Sequence, residues 1–176
     1  MNTEGESIYI GCNPRSCAGD GSRAQNCTGC GRCTKCVSVC RSLCFDIENT
    51  SLTDFHFKFK ECDLPAPTIT LTSGAGIHCY WRLNEAIPPE QWSRYQRGVM
   101  QAASIVDLKV DERIKDAPRV MRVPGFTNQK RKKPAKLVKV TKEATYPLDE
   151  FPMASQSWRD GHPTRQSCGK HSSTRT

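Results

Sequence analysis

Alternating apolar and polar positions mark most of the strands in this chain. In SLCFDIE, residues 42–48, Leu43, Phe45 and Ile47 fall on one face and Asp46 and Glu48 on the other, the period of two of a half-buried strand. Ser7 to Gly11 and Thr68 to Thr72 are rich in β-branched and aromatic residues and predict two more short strands. Ile77 to Leu83 resumes the pattern after the small-residue turn Ser73-Gly74-Ala75-Gly76, so 68–83 predicts a hairpin. Pro118 to Val123 and Lys136 to Val140 predict the last strands. Asp54 to Cys62 alternates Phe55, Phe57 and Phe59 with His56, Lys58 and Lys60; this period predicts an amphipathic strand, or a short helix if the register slips, with the phenylalanines in the core. From Pro88 to Ile105 the spacing changes. Trp92, Tyr95, Val99, Ala102 and Ile105 recur at helical intervals behind a first-turn proline, which predicts an amphipathic helix with Gly98 as a mild weakness.

Between these elements lie segments with little to bury. Residues 16–36 are mostly small and polar residues and Cys with almost no large apolar residue, and predict a surface loop ending near residue 41. From Ala154 onward Ser, Thr, Arg, Gly and His dominate, which predicts a disordered tail. Over 176 residues this gives one folded unit, 1–150, and a tail, 151–176. A hydrophobic content of 36% agrees with part of the chain being unpacked.

Charge sharpens the picture. The formal net charge is +8, and residues 130–142 hold Lys130, Arg131, Lys132, Lys133, Lys136, Lys139 and Lys142 with no acid among them. Such a block favours nucleic acid, or less often an acidic membrane surface. No apolar run reaches membrane-spanning length and MNTEGESIYI lacks the regions of a signal peptide, so a cytoplasmic chain without membrane contact is expected. Eleven cysteines in such a compartment stay reduced or bind metal. Cys27, Cys30, Cys33 and Cys36 offer four thiolates to Zn2+, although closer together than zinc knuckles place them. Cys30, Cys33, Cys36 and Cys40 have the spacing of a bacterial ferredoxin run, without the proline that follows its last cysteine. A Cys-rich insertion that binds nothing is the plain alternative.

The candidate chemistry is acidic and then basic. Asp46 and Glu48 repel each other on one strand face and tolerate that closeness best with a cation between them, or at a simply solvated strand end. Asp111 precedes Arg119, Arg122, Asn128 and the run Lys130, Arg131, Lys132, Lys133; a carboxylate to hold a metal ion followed by donors for phosphate suits a metal-bound polyphosphate or a nucleic-acid strand, while a strand, a turn and a solvated loop suit it equally. His78 stands just past the Gly-rich turn, where a ligand can approach the backbone.

Taken in order, Asp46-Ile47-Glu48, Ser73-Gly-Ala-Gly-Ile-His78, Val110-Asp111 and Arg119-Val-Met-Arg-Val-Pro-Gly125 resemble the motifs of the archaeo-eukaryotic primase superfamily. The SG-x-G-x-H-x-YW form, and Ile8 to Arg15 with its Asn-Pro-Arg turn, resemble the RepB-like DNA primase branch found in plasmids, phages and mobile elements. The resemblance covers about residues 7–150. It implies an α+β fold: a mixed sheet with an RRM-like hairpin unit, helices on one face, and the acidic strand beside the His hairpin. It implies template-dependent nucleotidyl transfer by two-metal catalysis, with Asp46, Glu48 and Asp111 holding Mg2+ or Mn2+ and His78 at the triphosphate. Arg119, Arg122, Lys130 and their basic neighbours would contact phosphates, and Asn128 would order the turn. The partners would be a DNA template, nucleoside triphosphates and a replicative helicase. The chain starts almost on the Asn-Pro-Arg strand and carries the Cys-rich run before the acidic pair. A decayed primase fragment, or a non-catalytic nucleic-acid-binding module with a zinc element, are therefore the alternative readings.

Overall fold

The computed structural model describes residues 5–15 and 34–161. Its centre is a four-stranded sheet built from β2 (Cys40–Glu48), β3 (Ile69–Thr72), β4 (Gly76–Ile87) and β8 (Lys136–Val140), in the order β2-β4-β3-β8. Every ladder in it is antiparallel, which corrects the expected mixed sheet. The physical reason lies partly in the connections: β3 and β4 are joined by the tight turn 73–76, which can only return the chain antiparallel. Ser73 closes that turn, its Oγ accepting from the Gly76 N–H at 3.0 Å. Two smaller antiparallel pairs flank the sheet: β1 (Tyr9–Gly11) with β5 (Val120–Arg122), and β6 (Thr127–Asn128) with β7 (Lys133–Pro134).

Two helices cover one face of the sheet. Leu43, Phe45 and Ile47 of β2 and Ile77, Cys79 and Trp81 of β4 point into a core shared with α1 (Leu52–Phe59) and α2 (Pro89–Ile105). Phe45 meets Trp81 edge-on with centroids 4.9 Å apart, and Trp81 donates its indole N–H to Pro65 O at 2.7 Å. A buried ring thus satisfies its one polar atom on the proline-rich connector.

Helix α1 occupies the segment whose period predicts a strand first. Ser51 caps it, Oγ accepting from the Asp54 N–H at 3.1 Å, and Phe55 and Phe59, four residues apart, then share a face with ring centroids 5.1 Å apart. Phe57 is left 76% exposed, so one of the three phenylalanines assigned to the core lies outside it. In α2, Trp92, Val99 and Ala102 are buried as the helical spacing predicts, but Ile105 is 78% exposed.

The end of the Cys-rich run is not a surface loop. Cys36 and Cys40 are fully buried, Cys40 within β2 among the core side chains, because strand β2 begins two residues earlier than its alternation shows. Residues 16–33 lie outside the described residues, and with them Cys27, Cys30 and Cys33.

The expected disordered tail also begins as structure. Phe151 and Ala154 are buried, the segment between them runs along α2 with Ala154 N–H donating to Arg94 O at 3.3 Å, and Gln156–Gly161 forms α3. Gly98 allows this approach: a Cβ there would lie 1.7 Å from Pro152 O. The glycine that weakens the helix by propensity is thus what lets the strap close. Residues 162–176, including His162, Cys168 and His171, lie outside the described residues. No described helix is long and apolar enough to cross a membrane.

Candidate active site

Strand β2 is an edge strand, bonded to β4 on one side only. The backbone groups of its even-numbered residues face the open edge, and because the strand is buried they need partners. Three different devices supply them. Trp92 donates its indole N–H to Ser42 O at 2.7 Å. Gln96, itself fully buried, accepts from Cys44 N–H at 3.0 Å and donates to Cys44 O, and its amide also donates to Ile114 O at 3.0 Å. Beyond it the chain itself runs antiparallel to the strand: Asp111 N–H donates to Asp46 O at 2.8 Å and Glu48 N–H to Lys109 O at 3.0 Å. Closing this edge therefore sets Asp111 beside Asp46, although the two are distant in sequence.

The face of the sheet opposite the helices carries the polar residues that the alternation of β2 places there. Asp46 stands opposite His78 in the β2–β4 register, and Asp46 Oδ2 lies 3.3 Å from His78 Nε2. His78 is almost wholly buried, with Tyr80 Oη 3.5 Å from its other ring nitrogen. Burial, with nearby thiols and Asp46, holds the Tyr80 hydroxyl far above its ordinary pKa, so it stays a neutral donor. Tyr80 and Asp46 thus flank the two ring nitrogens of His78. Gly76 makes the pairing possible: a Cβ there would lie 1.8 Å from Ile47 O.

Glu48 and Asp111 are joined through a residue the sequence did not single out. Arg113 Nε lies 2.8 Å from Asp111 Oδ1 and its terminal nitrogen 3.6 Å from Glu48 Oε1. Asp111 Oδ1 also accepts the Arg113 backbone N–H at 3.0 Å. Partial burial pushes the Asp111 pKa up, but the bonds and charge of Arg113, helped by Arg119, outweigh it and leave the carboxyl below its ordinary value. Among the described residues no group of three or more His, Cys, Asp and Glu side chains is arranged to hold a metal ion. The donor types nonetheless suit one: carboxylate oxygens are the ligands Mg2+ and Mn2+ take, and the guanidinium between Asp111 and Glu48 stands where positive charge is favoured.

Other sequence candidates have structural duties. Arg119 donates to Arg113 O and to Asp116 Oδ2 at 3.2 Å, tying down the loop that presents Arg113. Arg122 lies over the Tyr9 ring, 4.8 Å from its centroid, and donates to Tyr9 Oη at 2.9 Å. Asn128 is buried and orders its turn, donating to Ser73 O at 3.0 Å and accepting from Arg131 N–H at 3.3 Å. Asn13, read only as part of a strand-ending turn, is buried as well; it donates to Ala117 O at 3.2 Å and accepts from Arg41 N–H at 3.1 Å, fastening the loop after Asp111 to the start of β2.

Lys130, Arg131, Lys132 and Lys133 are exposed on and beside the turn of the β6–β7 hairpin. Arg131, Lys133 and Lys136 line an open groove of about 890 Å3 with the turn 74–76 and residues 49–52, just past Glu48. The segment that follows the acidic strand and the basic block thus line one groove. Of the four zinc candidates only Cys36 is described; it is buried.

No protein-family model matches the chain, and no curated protein matches it. Among solved structures, the AEP domain of the cyanophage S-2L primase-polymerase superposes with a TM-score of 0.59 at 20% sequence identity, covering 75% of this chain and 65% of that one. At this identity the likeness establishes the fold alone, which in this chain is mixed α and β with antiparallel sheets. The chain spans about two thirds of that domain's length.

Proposed function

We propose that this chain carries a nucleotidyl-transfer site of the archaeo-eukaryotic primase type, acting on a DNA template with nucleoside triphosphates. The observation that carries the reading is the meeting of Asp46, His78 and Asp111 at one edge of the sheet, within a fold shared with a phage primase-polymerase domain. The β3–β4 hairpin beside the acidic strand fits the RRM-like unit of that superfamily, and Ser73 to Trp81 fits its RepB-like branch.

In this reading Asp46, Glu48 and Asp111 would hold Mg2+ or Mn2+, which when bound would supply positive charge for the triphosphate and activate a 3′-hydroxyl. His78, held between Tyr80 and Asp46, would turn its Nε2 edge to the acidic strand, where it could contact an anionic oxygen of the triphosphate. Asn128 fixes the turn 73–76 against the β6–β7 hairpin, and Arg131, Lys133 and Lys136 give the groove beyond Glu48 the charge that a phosphate backbone needs. Arg119 and Arg122 serve the site from behind, through the loop after Asp111 and the β1–β5 pair.

Incorporation of labelled nucleotides on single-stranded DNA, with Mg2+ and with Mn2+, tests this. The chain is expected to extend or initiate a primer, and Asp46→Asn and Asp111→Asn to fall to background while keeping the wild-type melting temperature and DNA affinity. A folded wild type that binds DNA and incorporates nothing with either metal would leave the non-catalytic nucleic-acid-binding reading in its place.

A further inference from the structure

Among the described residues Arg113 is the one that touches two of the three carboxylates, and neither composition nor resemblance points to it. Its guanidinium is 73% exposed, yet it is aimed inward, with Nε on Asp111 and a terminal nitrogen toward Glu48. Its aim is enforced from the backbone. Asp111 Oδ1 takes the Arg113 N–H, and Arg119 takes the Arg113 carbonyl, so the loop has little freedom to present the arm elsewhere. An exposed ion pair is weak and exchangeable, so this contact neutralises the carboxylates without sealing them.

We propose that Arg113 is a built-in, displaceable counter-ion: its guanidinium holds Asp111 and Glu48 together until a divalent cation takes the same oxygens and releases the arm. This rests on the reading that these carboxylates take Mg2+ or Mn2+. Two like charges this close are costly without positive charge between them, and Arg113 supplies it when the cation is absent. The cation must then compete with an attached guanidinium, which raises the metal activity needed to load the site. The released guanidinium is a planar five-donor fork suited to a phosphate entering with the metal.

Binding of Mn2+ to the full chain, followed by electron paramagnetic resonance of the free ion, gives the test independently of catalysis. Arg113→Gln is expected to lower the Kd for Mn2+ about fivefold, the scale set by an exposed ion pair. Lys109→Gln removes the same charge from an exposed neighbour on the same segment and is expected to change the Kd less than twofold, which separates direct competition from a general field effect. In the wild type, the Arg113 Nε–H resonance is expected to be protected from solvent exchange and to lose that protection as Mg2+ is added. If Arg113→Gln leaves the Kd unchanged while Asp111→Asn weakens binding, the counter-ion role is wrong and the metal reading stands. If Asp46→Asn and Asp111→Asn bind Mn2+ as the wild type does, or none of the proteins binds it, both are wrong.

Discussion

Replacing Gln96 with leucine keeps the volume of the side chain and deletes everything that closes the middle of the β2 edge. Three buried backbone groups lose their partner at once: the Cys44 N–H, the Cys44 carbonyl and the Ile114 carbonyl. Each buried group left unsatisfied costs about 1–3 kcal/mol, and because two belong to one residue the sum is less than additive, about 3–5 kcal/mol. The added apolar contact of leucine returns about 1 kcal/mol, for a net loss near 3 kcal/mol. With a urea m-value of about 2 kcal/mol/M, the unfolding midpoint should fall by about 1.5 M. Gln96→Glu gives a sharper signature. The glutamate keeps the acceptor for Cys44 N–H, but facing two carbonyls it must hold a proton to donate, so its folded pKa is raised above the unfolded value of about 4.3. A raised folded pKa means stability is fully present below the unfolded pKa and lost as pH rises toward the folded one. Near pH 4 this variant should therefore come closest to the wild type, short of it by one unpaired carbonyl because a protonated carboxyl donates once where the amide donates twice, then fall away by about 1.4 kcal/mol per pH unit until the folded pKa is passed. A midpoint shift below about 0.5 M for Gln96→Leu, or a pH-independent deficit for Gln96→Glu, would refute the reasoning.

Gly98→Ala gains helix propensity of about 1 kcal/mol but drives a Cβ to 1.7 Å from Pro152 O, so a net loss of about 2 kcal/mol and earlier proteolysis after residue 150 are expected, and a raised melting temperature would contradict this. Changing Lys130, Arg131, Lys132 and Lys133 together to alanine should weaken single-stranded DNA binding for all sequences alike and flatten the log–log salt slope by about 0.7 for each phosphate no longer neutralised. Filter binding over a salt series reads this directly, and an unchanged slope would make the basic turn merely solvated surface.

The legible parts of this fold were the ones decided locally. Helix α2 announced itself by a long periodic stripe behind a proline, and the β3–β4 hairpin by two β-branched runs around a Gly-rich turn. Strand β2 was readable because its two faces differ in polarity, which also brought out Asp46 and Glu48. Helix α1 was not, because Phe55, Phe57 and Phe59 satisfy a strand period while two of them also satisfy an i, i+4 helical pair; the Ser51 cap and the core's position decide between them. Cys36 and Cys40 sat in a polar composition that hid their burial. Gln96 and Arg113 were missed for a deeper reason. A glutamine in a helix and an arginine after an aspartate look like solvent-facing residues, and only the three-dimensional pairing of β2 with the segment 109–111 shows what they complete.

The strap from Tyr146 to Ala154 has a consequence in time as well as in space. Tyr146 pairs with the β4 backbone at Arg82 and Asn84, and Phe151 stacks edge-on against Trp81, so the core lacks a wall until this segment has left the ribosome. Pairings such as β1 with β5, more than a hundred residues apart, also wait for late-made chain. During that interval Cys36, Cys40, Cys44, Cys62 and Cys79, all buried in the finished protein, remain open to solvent. Burial pushes the Cys40 thiol up to about 12 and that of Cys62 to about 11, which leaves almost no thiolate to react once folding is complete. The nascent chain has no such protection, so the oxidant sensitivity of these five thiols belongs to the protein's synthesis far more than to its folded life.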